Sequence, residues 1–196
     1  MQADYEKITQ LLNFFIKKNA NSRINKLKAI KLIWAADRYH IRKYGRLVSN
    51  DEYCALKYGP VASLTKDVAD LDLDYLDSNY VDYINEYLKR DVERLMLFSH
   101  KDVEEDNFSK TDIEALDFAW SRFGKYDGFD IAEISHDYPE WARFKDAFES
   151  KEIRHANIVV DDFFENPKQL NKLSSDPFAL PADMLNSSKE FYKATS

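Results

Sequence analysis

One cysteine in 196 residues, Cys54, excludes an internal disulfide and any multi-cysteine zinc site. That usage fits a reducing compartment, so a cytoplasmic location is expected. Glycine is almost as scarce. Its four copies, Gly45, Gly59, Gly124 and Gly128, are scattered and each has a turn or cap to fill, so no glycine-rich loop cradles a phosphate and an NTP-dependent enzyme is not expected. Apolar runs such as Leu32 to Ala36 fall far short of the ~20 residues a membrane-spanning helix needs. The opening Met1-Gln2-Ala3-Asp4 is polar where a secretory signal would be apolar. Histidine supplies His40, His100, His136 and His155, with no His-x3-His and no clustered carboxylate-histidine spacing, so neither a metal nor another cofactor is expected. No serine sits in a nucleophile-elbow context. Cys54 has only Lys57 as a basic neighbour and reads as a core residue.

What is present is ample apolar material for a core: 44% hydrophobic residues, 14% of the chain aromatic. The net charge of -7 conceals a basic band, since Lys17 to Arg46 holds ten lysines and arginines and a single acid, Asp37. Such a band serves a nucleic acid, a docking surface or merely a solvated helix face. The acidic whole-chain balance and the lack of any nucleic-acid motif argue against the first.

The pattern is mainly helical. Asp4 to Lys18 keeps Ile8, Leu11, Leu12, Phe15 and Ile16 on one stripe, with acids in its first turn and lysines in its last. A second helix, about Asn25 to Tyr44, is apolar over more than half its circumference and reads as a central buried helix ended by Gly45. Leu47-Val48 and Tyr53 to Tyr58 read as two strands about the turn Ser49 to Glu52, closed by Gly59-Pro60, with Ser63 as the N-cap of the next helix. Asp67, Asp70, Asp72, Asp74 and Asp77 read as a solvated face. Tyr80 to Arg90 reads as either a helix or irregular structure, and Leu95 to Phe98 as a candidate third strand. Ser109 with Asp112 forms a capping box for a helix to Phe123. A short helix at Gly128 to Ser135 and another starting at Pro139 follow. The expected fold is a single compact helical domain around a central buried helix, with a small antiparallel β-hairpin or three-strand sheet.

Within the second helix Leu27, Ile30, Trp34, Asp37, Ile41 and Tyr44 recur at spacings of three and four, which puts the Asp37 carboxylate on the face to be buried. Burying an unpaired carboxylate costs several kcal/mol. Asp37 therefore has a partner such as an arginine or a tyrosine hydroxyl, has lost its charge, or lines a surface that a ligand or protein covers. Asp37 and His40 are neighbours on the helix, and that pair suits a general base or two metal ligands as well as a satisfied structural pair. The residues alone leave these open.

The ordered blocks Lys31-Leu32-Ile33-Trp34-Ala35-Ala36-Asp37-Arg38-Tyr39-His40-Ile41-Arg42-Lys43-Tyr44-Gly45-Arg46, Asp51-Glu52-Tyr53, Lys57-Tyr58-Gly59-Pro60-Val61-Ala62-Ser63, Ser109 to Asp117, Phe123-Gly124-Lys125 and Ser135-His136-Asp137-Tyr138-Pro139-Glu140-Trp141 resemble the Panacea antitoxin family. That family includes SocA-like antitoxins and many phage-associated proteins. The likeness runs from about Tyr5 to Phe164. Departures are Ala62 for a second proline, Trp34 for tyrosine or phenylalanine, and Asp137 for glutamate.

The resemblance implies a non-enzymatic antitoxin that neutralises a toxin encoded beside it, mainly by direct protein contact. Some relatives act as adaptors that hand the toxin to a protease, and others carry an added DNA-binding domain, for which there is no room before Tyr5. Residues 1–173 are expected to form the Panacea-like domain and 174–196 a weakly ordered tail, in which Phe178, Leu180, Met184, Leu185, Phe191 and Tyr192 are able to dock on a neighbouring surface. The motif residues Asp37, Arg38, His40, Arg42, Lys57, Tyr58, Gly59, Pro60, His136 and Trp141 are the candidates for contact with the toxin or for keeping the fold. The alternatives are a phage- or prophage-associated interaction or regulatory protein, and a hydrolase using Asp37, His40 and His136.

Overall fold

The computed structural model describes residues 4–195; the polar opening at 1–3 lies outside them, as does residue 196. The described residues are mainly helical, with two small antiparallel three-stranded sheets among them. Helix α1 (Tyr5–Lys18) starts where the Asp4 carboxylate accepts the Lys7 amide at 2.9 Å. Helix α2 (Lys26–Tyr44) starts at Asn25, whose side chain accepts the Lys28 amide, and stops at Gly45 in the left-handed region, φ 72°. Residues Ala29 to Arg38, with His40, Ile41 and Arg42, are buried. Around it pack α1, α3 (Ser63–Asp70), α5 (Lys110–Phe123), α6 (Gly128–Ser135) and α9 (Ala182–Thr195). The Ser109–Asp112 capping box opens α5 as the sequence reading expects.

The expected hairpin is displaced. Strand β2 (Tyr53–Leu56) pairs not with Leu47-Val48 but with β3 (Gly59–Ala62), in the register Tyr53 to Ala62 and Leu56 to Gly59; Gly59-Pro60 thus begins a strand instead of ending one. The reason is that residues 49–51 are already committed. Asp37 draws Ser49 down onto α2, and Asp51 accepts the Leu64 and Thr65 amides at 3.1 and 2.8 Å. Asp51, from outside the helix, thereby replaces Ser63 as the cap of α3. At Gly59, φ +97° turns the chain back after Lys57 and Tyr58, and a Cβ would collide with Ser135 Oγ and stand 2.6 Å from Lys31 Nζ.

Other expectations also shift. Helix α4 is Ser78–Tyr87, and β5 (Met96–Phe98) joins β1 (Arg23–Asn25) and β4 (Lys89–Asp91) in a separate sheet, not the hairpin's. The hairpin's third strand is β6 (Ala156–Asn157). Asp70 is no solvated acid: Lys26 bonds it, Arg90 reaches it at 3.0 Å and Lys66 at 3.1 Å. After Leu173, Phe178 is one of the apolar groups able to dock, and it is buried among Trp34, Phe123 and Tyr138; α9 crosses the end of α2, where Ser188 Oγ donates to the Lys43 carbonyl at 2.8 Å. A few apolar side chains outweigh the polar composition around them.

The basic band is largely spent internally. Lys31, Arg38 and Arg42 are buried, while Lys17, Lys18, Lys43 and Arg46 pair with Asp102, Asp117, Glu114 and Asp112. Among the described residues no helix is long and apolar enough to cross a membrane.

Candidate functional site

The helical stripe that carries the motif charges feeds several buried polar nodes. At the first, the Asp37 carboxylate accepts the Ser49 amide at 2.9 Å, the Ser49 hydroxyl at 2.5 Å and the Tyr53 hydroxyl at 2.8 Å. Burial raises its pKa to about 6 against the pull of those three donors. Of the partners considered for it, the tyrosine hydroxyl is the one found.

At the second node Arg38 and Glu140, both fully buried, pair at 2.6 Å, and Trp34 Nε1 donates to the other Glu140 oxygen at 2.9 Å. The guanidinium lies 4.3 Å from the Tyr138 ring centroid and donates to the Glu165 carbonyl at 2.7 Å. One turn on, Arg42 donates to the carbonyls of Phe178, Phe163 and Glu165 and to Asn166 Oδ1. Two arginines on one helix thus hold the segment after Phe163, which no local pattern ties to α2. Burial lowers the Arg42 pKa to about 10, and the carbonyl shell compensates the guanidinium for lost water.

His40 is fully buried and apart from Asp37's partners. Its Nδ1 faces the Arg46 carbonyl at 2.8 Å, an acceptor, so Nδ1 carries the proton and Nε2 accepts from Thr111 Oγ1 at 3.0 Å. Burial lowers its pKa to about 4. His136 lies elsewhere, half-buried and stacked on Trp141 at 3.6 Å. Asp37, His40 and His136 therefore have separate partners and do not share a pocket, and among the described residues no cluster of three or more metal-ligating side chains occurs.

Lys31 is the buried cation the sequence reading did not single out. Its ammonium donates to the Pro60 carbonyl at 2.7 Å, pinning the hairpin to α2, and burial lowers its pKa to about 7. A lysine whose folded pKa is lowered leaves the unfolded chain holding more protons between about pH 7 and 10.5, so stability rises with pH across that window. Urea unfolding is expected to show about 2 kcal/mol more stability at pH 9 than at pH 7, a slope that Lys31→Met removes.

Lys57 and Tyr58 are exposed at the hairpin turn, and Gly59 and Pro60 are buried behind it. Beside the turn lies an open cleft of about 850 Å³ between α6, α7 (Pro139–Ala142), α8 (Lys145–Glu149) and residues 165–172. Trp141 forms part of its floor, its Nε1 donating to the Leu56 carbonyl at 2.8 Å. Sequence reasoning missed Glu140, because an acid on a one-turn helix reads as surface. Its place between Pro139 and Trp141, two residues after the buried Tyr138, was the available signal. Phe129, on α6, is 60% exposed.

Residues 30–142 match the family model described as antitoxin SocA-like, Panacea domain. No curated protein and no solved structure matches the chain.

Proposed function

Because this chain belongs to the SocA-like antitoxin family with the Panacea domain, we propose that it is an antitoxin that neutralises a toxin encoded beside it by direct protein contact, without catalysis. The observation that carries this reading is where the motif charges go: Asp37, Arg38, His40 and Arg42 are all buried and bonded within the chain. Such groups keep a scaffold centred on α2 and leave recognition to exposed residues, which is how one architecture meets differing partners. The separate settings of Asp37, His40 and His136 disfavour the hydrolase alternative.

Co-expression with the product of the adjacent gene tests it. That product alone is expected to arrest growth, and this chain is expected to restore growth and to co-purify with it. A harmless neighbour, or rescue without co-purification when the toxin level also falls, contradicts inhibition by direct binding; the latter result instead supports delivery to a protease.

A further inference from the structure

We propose that the toxin seats an acidic segment bearing an apolar side chain in the cleft beside the Lys57-Tyr58 turn, with the Tyr58 and Phe129 rings as its outer anchor. This rests on the antitoxin reading and assigns it a surface. The first observation is aromatic exposure. Tyr58 and Phe129 are 46% and 60% exposed, yet they pack edge to face at 5.6 Å, so each holds the other in place with about half its area open to solvent. Rigid, exposed aromatic rings gain much from a partner and lose little conformational entropy on binding. Phe129 lies one turn before Glu133 on α6, and Tyr58 follows Lys57; Glu133 and Lys57 both line the cleft, so the ring pair adjoins its mouth. Inside, His136, Trp141 and Phe148 stack in series, with Trp141 and Phe148 at 5.6 Å and 5°.

The second observation is charge. The acids that line the cleft are already engaged. Glu133 pairs with Lys172 at 2.5 Å, Asp162 with Arg143 at 2.5 Å and Glu149 with Lys145 at 3.8 Å. Asp137 accepts the Asn171 amide at 2.7 Å, and Glu165 faces Lys189 at 3.4 Å. Lys57 and Lys168 remain. Among the described residues neither has an anionic partner, and Lys57 only covers the Tyr58 ring at 5.3 Å. On a chain of net charge -7, a cleft whose uncommitted groups are ammonium ions selects a locally acidic occupant, while the acidic remainder favours a partner that is basic overall. The aromatic floor sets the need for an apolar side chain between the carboxylates.

The test measures binding of the adjacent gene's product to the full chain by calorimetry, beside thermal unfolding of every variant. The double variant K57E/K168E is expected to weaken binding at least tenfold, and Phe129→Ala about tenfold, with unfolding midpoints near wild type because these side chains are exposed. Wild-type affinity is expected to fall as salt rises, and that salt dependence is expected to shrink in K57E/K168E. Val92→Asp, in the turn between β4 and β5, is expected to bind as wild type does. Wild-type affinity in both K57E/K168E and Phe129→Ala overturns the cleft proposal and leaves the antitoxin reading standing. Loss of binding in Val92→Asp moves the interface to the other sheet and also overturns it. Failure of the wild-type chain to bind ends the antitoxin reading, and this proposal falls with it.

Discussion

Arg38→Ala is expected to destabilise the protein by about 3–5 kcal/mol, the loss typical when one partner of a buried ion pair is removed and the other stays charged. Glu140 would keep Trp34 Nε1 and its own backbone amide as donors but no cation, in a site with no exposure. The guanidinium also stacks over Tyr138 and holds the Glu165 carbonyl, so the segment after Phe163 would loosen as well. Many domains have only ~5–15 kcal/mol to lose, so part of the effect is expected as reduced soluble yield. The attraction itself is not the main benefit. Replacing both charges, Arg38→Met with Glu140→Leu, is expected to recover most of the loss in urea unfolding, because the penalty comes from an unpaired buried charge. A single Arg38→Ala variant as stable as wild type would contradict this reading of the node.

Asp37→Ala is the second large effect, about 3 kcal/mol, since it strands the Ser49 amide and the Ser49 and Tyr53 hydroxyls in the interior at ~1–3 kcal/mol for each group that finds no other partner. The segment 49–51 would lose its tie to α2, and with it the placement of Asp51 at the start of α3. Asp37→Asn should cost less, because one acceptor oxygen remains. The pH dependence follows from the folded pKa of about 6, which lies above the usual carboxylate value. Between about pH 4 and 6 the folded state holds a proton that the unfolded state has released, so Asp37 contributes less stability as pH rises through that window. Asp37→Asn, which does not titrate, is therefore expected to be closest to wild type at pH 7 and furthest below it near pH 4. Urea unfolding at both pH values checks the order.

Local chemistry made the helices legible. The acid-to-base gradient of α1, Asn25 and Gly45 around α2, and the Ser109–Asp112 box all act over four residues or fewer, and each stands where the pattern placed it. The hairpin was misplaced because its register depends on Asp37, Ser49 and Asp51, whose bonds span 12 to 14 positions. Apolar alternation sees strands but not a carboxylate that recruits the intended turn. The segment after Leu173 was legible in part: its apolar side chains, Phe178 among them, were marked as able to dock, but the slot Phe178 fills among rings from α2, α5 and the turn before α7 exists only in the assembled core.

For the site, the sequence marked Asp37 as a buried charge needing an account, and left open whether that account was a partner or a ligand. The bonds from Ser49 and Tyr53 supply one within the chain. What the pattern could not show was which motif residues turn outward. Lys57 and Tyr58 face solvent while their neighbours Gly59 and Pro60 are buried, and the difference comes from one left-handed residue and the buried amine of Lys31 behind it.

The central claim is that the motif charges hold the scaffold and the partner meets the surface. Its most direct test measures stability and toxin affinity on one preparation of Asp37→Ala, with affinity expressed per folded molecule. The account predicts a chain several kcal/mol less stable whose folded fraction binds the adjacent gene's product as tightly as wild type does. A variant of normal stability that no longer binds would contradict it, and would place Asp37 in the interface.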